Sequence, residues 1–151
     1  MAIRALTMDQ VQDYVSDLDP SKGTDKEADE ATVFKLGTLS ARQMTQIKDA
    51  STSFKPDREN SEDPKNPDMV AEFRPNQSVY LTVQFALRGW DRFVDFEGNE
   101  VAFKTIKKQL GGKEILCAHD DALDRLGQEL MRELSEAIEK FNTPTEIVLK
   151  T

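Results

Sequence analysis

The chain of 151 residues fits a single domain, 1–151, and a domain of that length buries roughly 68–70% of the surface its unfolded chain would expose. Only 38% of the residues are apolar and 32% are charged, so the core is expected to be compact and bordered by solvated loops. The net charge of −8 argues against nucleic acid as the main partner, because phosphate binding is built on clustered Lys and Arg, and no apolar run approaches the ~18 residues of a membrane span.

Residues 1–6 lack the apolar run of a secretory signal, and with Cys117 as the only cysteine no intrachain disulfide can form, so the expectation is a soluble chain made in the cytoplasm. Thr7-Met8-Asp9-Gln10 has capping-box spacing. It opens an expected short helix with Met8, Val11, Tyr14 and Val15 on one face, stopped at Asp19-Pro20. From 16 to 30 the sequence is polar and acidic and reads as a mobile loop. Asp17 and Asp19 set oxygens at alternate positions, as in a calcium loop. The sixth and twelfth places hold Lys22 and Ala28 where that loop needs Gly and Glu, and no metal site is expected.

Residues 31–36 are rich in β-branched and aromatic side chains and read as a strand ending at Gly37. Ser40-Ala41-Arg42-Gln43 is a second capping box, with Leu39 placed to pack on Met44, and the helix runs to about Ala50 with Met44 and Ile47 inward. From 51 to 76, Pro56, Pro64, Pro67 and Pro75 stand among charged and amide residues, the composition of a long loop that a partner orders. Met69-Val70-Ala71-Glu72-Phe73 is its apolar piece, an isolated strand or an anchor.

In 78–90 two periodicities compete. Val79, Leu81, Val83, Phe85 and Leu87 alternate as in a strand, whereas Val79, Val83, Ala86, Leu87 and Trp90 line a helical stripe. Length, Asn76 or Ser78 as N-cap and Gly89 near the end favour the helix. Trp90, Phe93, Phe96 and Phe103 form the expected core hub, because side chains of this size dominate a small core. Asp95-Phe96-Glu97-Gly98-Asn99 reads as a tight reversal, followed by a short strand at Val101-Ala102-Phe103.

Gly111-Gly112 joins 105–110 to 114–117 in an expected β-hairpin, with Lys104, Lys107, Lys108 and Lys113 on its solvated face. The C-terminal helix is expected to start at Asp120 or Asp121 and to continue unbroken to Lys140 and Asn142 before Pro144. Leu123, Leu126, Leu130, Leu134, Ile138 and Phe141 face inward, and Glu129, Arg132, Glu133, Glu136 and Glu139 face solvent. Ile147-Val148-Leu149 close the chain as a last strand or a contact with a neighbouring subunit. The fold class is α+β, a small mixed domain with a short antiparallel sheet or hairpins, a long C-terminal amphipathic helix and extended polar loops at 16–30 and 51–76.

His119 is the only histidine, so the chain lacks the second pair of His or Cys that a zinc site needs. Cys117 stands two positions earlier, but a nucleophile and its base must share a hydrogen bond, and His119 reads more simply as a polar residue at a loop–helix junction. Asp95 with Glu97 and Asp120 with Asp124 read as surface charge, and Gly111-Gly112-Lys113 lacks the spacing of a phosphate loop. No catalytic, cofactor-binding or metal-binding residue is expected.

The stretch 87–103 resembles a motif of small proteins encoded among the head and tail assembly genes of tailed bacteriophages. In that motif a Gly-Leu-x-Gly-Trp-like phrase leads through Phe and Asp to an Asp-x-x-Gly-Asn turn and a short strand ending in Phe. The matching residues are Leu87, Gly89, Trp90, Phe93, Asp95, Gly98, Asn99, Val101 and Phe103, with Ala86 where the pattern often has Gly. The C-terminal helix ending at Asn142-Thr143 and the strand 32–36 feeding a helix through 39–43 are similar too, so the likeness spans about half the chain. It implies a non-enzymatic component of the capsid, head–tail junction or tail, acting by contact with other phage structural proteins and with further copies of itself. It would pass from the host cytoplasm into the virion. The alternative it implies is a soluble tail assembly chaperone that the mature virion does not retain. Met69, Val70, Phe73, Ile147, Val148 and Leu149 are the expected partner contacts.

Overall fold

A computed structural model describes residues 5–63 and 65–143, and the apolar run Ile147-Val148-Leu149 lies outside the described residues. Among them the chain order is β1 (Val11–Tyr14), α1 (Glu27–Glu30), β2 (Val33–Gly37), α2 (Ala41–Ala50), β3 (Thr52–Asp57) and β4 (Asp68–Phe73). It continues with α3 (Pro75–Ala86), β5 (Leu87–Asp91), β6 (Thr105–Leu110), β7 (Lys113–Ala118), α4 (Asp120–Leu123) and α5 (Gln128–Phe141). This is the expected α+β class, with short antiparallel sheets ordered β1-β2-β5, β3-β4 and β6-β7.

β2 lies at the centre of its sheet because Phe34 and Leu36, two apart, both need a buried face. They stand opposite Trp90 and Leu87 of β5. Against that face α3 packs on α5, contributing Val83, Ala86, Leu134 and Ile138, all fully buried. Leu39 and Ile47 complete the core at α2. The start of α2 follows its capping box: the Gln43 N–H donates to Ser40 Oγ at 3.1 Å, and the Ser40 N–H donates to Gln43 Oε1 at 2.9 Å. Gly111 and Gly112, at φ +61° and +78°, close the β6–β7 hairpin as expected.

Elsewhere tertiary pairing overrides the local pattern. Residues 8–15 form no helix: Asp9 sits at φ +60°, and β1 pairs with β2 from Val11↔Gly37 to Tyr14↔Phe34, because a helix this short is marginal beside a sheet edge ready to accept it. The 16–30 loop is a run of turns ending in α1. The Asp19 carboxylate fastens it by accepting the N–H groups of Ser21 and Thr32 at 2.9 and 2.8 Å. The 51–76 stretch is not a long loop but the two strands β3 and β4, so Met69–Phe73 is paired rather than isolated.

Both periodicities of 78–90 hold in part, since α3 ends at Ala86 and β5 starts at Leu87. Neither Asn76 nor Ser78 caps α3. Arg74 holds that place, with Pro75 at the first helical position, where a missing N–H does no harm. Val101-Ala102-Phe103 is not a strand; a single bridge, Val94↔Glu100, closes the reversal, and pairing resumes only at Thr105. The C-terminal helix is broken into α4 and α5 at Gly127. His119, rather than Asp120 or Asp121, caps α4 by accepting the Asp121 N–H on Nδ1 at 3.0 Å.

Candidate interaction surface

The hub divides into a buried set and an exposed residue. Trp90, 9% exposed, meets Phe93 at 4.8 Å, Phe103 at 4.9 Å and Phe34 at 6.3 Å between ring centroids, all edge-on, and its Nε1 donates to the Val101 carbonyl at 2.7 Å. Phe34 comes from β2, so closeness in sequence did not reveal it. Leu87 is fully buried in the same core, opposite Leu36, and Gly89 pairs with Lys35 across the sheet. In the reversal the Asp95 carboxylate accepts the N–H groups of Glu97 and Asn99 at 2.9 and 3.0 Å, while Gly98 takes φ +84°. Asp95 turned inward puts Phe96 at the apex, fully exposed, which removes Phe96 from the core.

The surface that stands out lies on the β3–β4 ribbon. Register places Thr52 opposite Phe73, Phe54 opposite Ala71, and Pro56 opposite Met69, and residues paired across antiparallel strands share a face. That face is uncharged. Phe54, Met69 and Phe73 are 67%, 60% and 54% exposed. The reverse face carries Ser53, Lys55, Asp57, Asp68, Val70 and Glu72, with Lys55 Nζ 3.4 Å from Glu72, so Val70 is separated from Met69 and Phe73 by the pleat. Pro56 is tolerated because each strand of a two-stranded ribbon is an edge. The root is tied to the body where the Arg74 N–H donates to the Ser51 carbonyl at 2.7 Å and the Thr52 hydroxyl donates to the Lys48 carbonyl at 2.9 Å.

Of this face, sequence reasoning singled out Met69 and Phe73, with Ala71 in the same apolar piece, and missed Phe54 and Pro56. The signal was present as apolar alternation at 54 and 56 mirrored at 69, 71 and 73. The four prolines of 51–76 and the polar connection 58–67 hid it.

Polar clamps hold the scaffold behind this surface. Glu133, expected to face solvent, accepts the Tyr14 hydroxyl at 2.6 Å, the Ser16 hydroxyl at 2.7 Å and the Asp17 N–H at 2.9 Å, fixing β1 to α5. Asp120, expected as spare surface charge, accepts from the Tyr80 hydroxyl and from Gln84 Nε2 at 3.1 Å. Burial, reinforced by these carboxylates, pushes both phenols above their ordinary 10.0, and the Tyr80 bond holds the Asp120 carboxyl below its ordinary 3.8.

Cys117 is buried, its thiol raised by burial and donating to the Ile106 carbonyl at 3.3 Å, while His119 Nδ1 already serves as a helix cap. Burial thus favours the protonated thiol and capping engages one imidazole nitrogen, whereas an activated nucleophile needs a lowered thiol pKa and a base hydrogen-bonded to it. Among the described residues no three His, Cys, Asp or Glu converge as metal ligands, and no helix is long and apolar enough to cross a membrane. No family model, curated protein or solved structure matches the chain.

Proposed function

We propose that the chain is a non-enzymatic structural or assembly component of a tailed bacteriophage particle, at the capsid, the head–tail junction or the tail, acting by protein–protein contact. The observation that carries the contact reading is the uncharged apolar face of the β3–β4 ribbon on a chain of net charge −8. Exposed apolar patches on otherwise polar chains mark contact sites, and a two-stranded ribbon gains most of its stability from whatever covers it. The phage assignment is supported by the motif residues Leu87, Gly89, Trp90, Phe93, Asp95, Gly98, Asn99, Val101 and Phe103. Its partners would be other phage structural proteins and further copies of the chain, met in the host cytoplasm and kept in the virion.

A soluble tail assembly chaperone that leaves before the particle matures is the second reading. The outer edges of β3 and β4, which pair with no further strand among the described residues, favour it, because an unpaired edge accepts an extended apolar segment of a client. Quantitative mass spectrometry of purified mature particles, scaled to the major capsid protein, tests both. A fixed ratio to the capsid protein supports the structural role, and absence from particles with abundance in infected cells supports the chaperone. Absence from both contradicts either.

A further inference from the structure

We infer that a cavity walled by Phe34, Phe93 and Leu130 and edged by Arg92, Asp19 and Glu30 binds an α-amino acid unit with an apolar side chain and a free carboxylate. Such a unit comes either as a free amino acid or as the last residue of a polypeptide. The site is separate from the ribbon face and depends neither on the contact reading nor on the phage assignment.

The walls come from three parts of the fold. Phe34 of β2 and Phe93, just after β5, meet edge-on at 5.6 Å between ring centroids, and Leu130 of α5 lines the same cavity of about 380 Å³. That is the small end of the roughly 300–1,000 Å³ of ligand pockets, room for one residue rather than a length of chain.

Arg92 is the polar centre. It sits at φ +58°, a left-handed conformation that a side chain of this size keeps only where its surroundings fix it. Its carbonyl accepts the Thr32 hydroxyl at 2.7 Å, and its Nε donates to the Ala31 carbonyl at 2.8 Å. These contacts set the guanidinium in place yet use only its Nε hydrogen. The two terminal amines have no hydrogen-bond or ion-pair partner among the described residues. A guanidinium held in this way presents its free end as a ready fork, and a carboxylate is the group that meets such a fork with two parallel bonds.

Asp19 and Glu30 line the same cavity without an ion pair to Arg92, and they select the rest of the ligand. Each Asp19 oxygen accepts one backbone N–H, from Ser21 at 2.9 Å and from Thr32 at 2.8 Å, and keeps spare lone pairs. The Glu30 carboxylate is exposed and has no partner among the described residues. A plain organic acid would set its one charge against these two carboxylates. An α-amino acid unit answers both signs: its carboxylate meets Arg92, the ammonium or amide N–H beside it meets the acidic oxygens, and its side chain meets the aromatic wall.

Isothermal titration calorimetry of the full chain tests this with two probes, L-leucine and N-acetyl-L-leucine, the second imitating a polypeptide end. Trp90 is the only tryptophan and lies 4.8 Å from Phe93 between ring centroids, so its emission is a second readout. At least one probe should bind saturably, one per chain, and change that emission; the tighter of the two names the source. The amide of that probe, which lacks the charged carboxylate, and its glycine counterpart, which lacks the side chain, should each bind about tenfold more weakly or worse. Arg92→Gln should weaken the probe to a similar degree, and if that variant fails to fold, the amide comparison on the native chain decides alone. No saturable binding of either probe at millimolar concentration, or an amide that binds as well as its acid, would overturn the assignment. Neither result bears on the ribbon face or on whether the chain occurs in phage particles.

Discussion

Trp90 and Phe96 show how little residue type alone decides. Trp90 is enclosed by Phe34, Phe93 and Phe103 and has its indole N–H satisfied, whereas Phe96 stands at the apex of a turn. Trp90→Ala should lower unfolding free energy by roughly 3–5 kcal/mol, and Phe96→Ala by no more than about 0.5 kcal/mol, both read from urea melts. Equal effects would mean that the reversal does not point Phe96 outward. The chain's two tyrosines both donate to carboxylates, and both phenols lie above their ordinary 10.0. A raised folded-state pKa contributes stability that is fully present below pH 10 and lost as pH rises through the folded values. Asp120 works in the opposite sense, its contribution present above pH 3.8 and lost as pH falls through its depressed value. Spectrophotometric titration should find neither tyrosine ionised at pH 10 in the native chain and both ionising together as the fold opens; a normal titration of either would remove its clamp.

Among the elements, those written in neighbouring residues were legible in the sequence. The Ser40 capping box, the Gly111-Gly112 hairpin and β2 are each specified by residues a few positions apart, and each forms where expected. The first strand was hidden because Val11–Tyr14 becomes a strand only beside Phe34–Gly37, a partner 20 to 26 positions away. The β3–β4 ribbon needs pairing across 58–67, a link that local composition does not record. In the C-terminal segment Leu123, Leu126, Leu130 and Leu134 keep their spacing across the break, so periodicity passes over it. Gly127 marks it instead, with φ +77° and ψ +160°, a conformation almost confined to glycine. Gly127→Ala should therefore destabilise the chain by roughly 1–3 kcal/mol, seen as a lowered melting temperature. No loss would mean that α4 and α5 can join without strain. Of the candidate surface the sequence showed Met69 and Phe73. Phe54 was obscured by the prolines around it.

At the scale of the whole molecule, a small aromatic and aliphatic core carries a ribbon whose outer face has no covering element among the described residues. The acidic charge keeps dilute copies apart, and the uncharged face is where they or their partners can meet. Function by contact, as proposed, makes the exposed Phe54 matter more to activity than to stability, the reverse of Trp90. The direct test is particle yield from a phage lacking this chain and supplied with either the native sequence or Phe54→Asp, at matched soluble levels and matched melting temperature. Under the proposed phage role, the native chain should restore particles and Phe54→Asp should leave yield near that of the phage without the chain. Full yield with Phe54→Asp would contradict the ribbon face as the working surface.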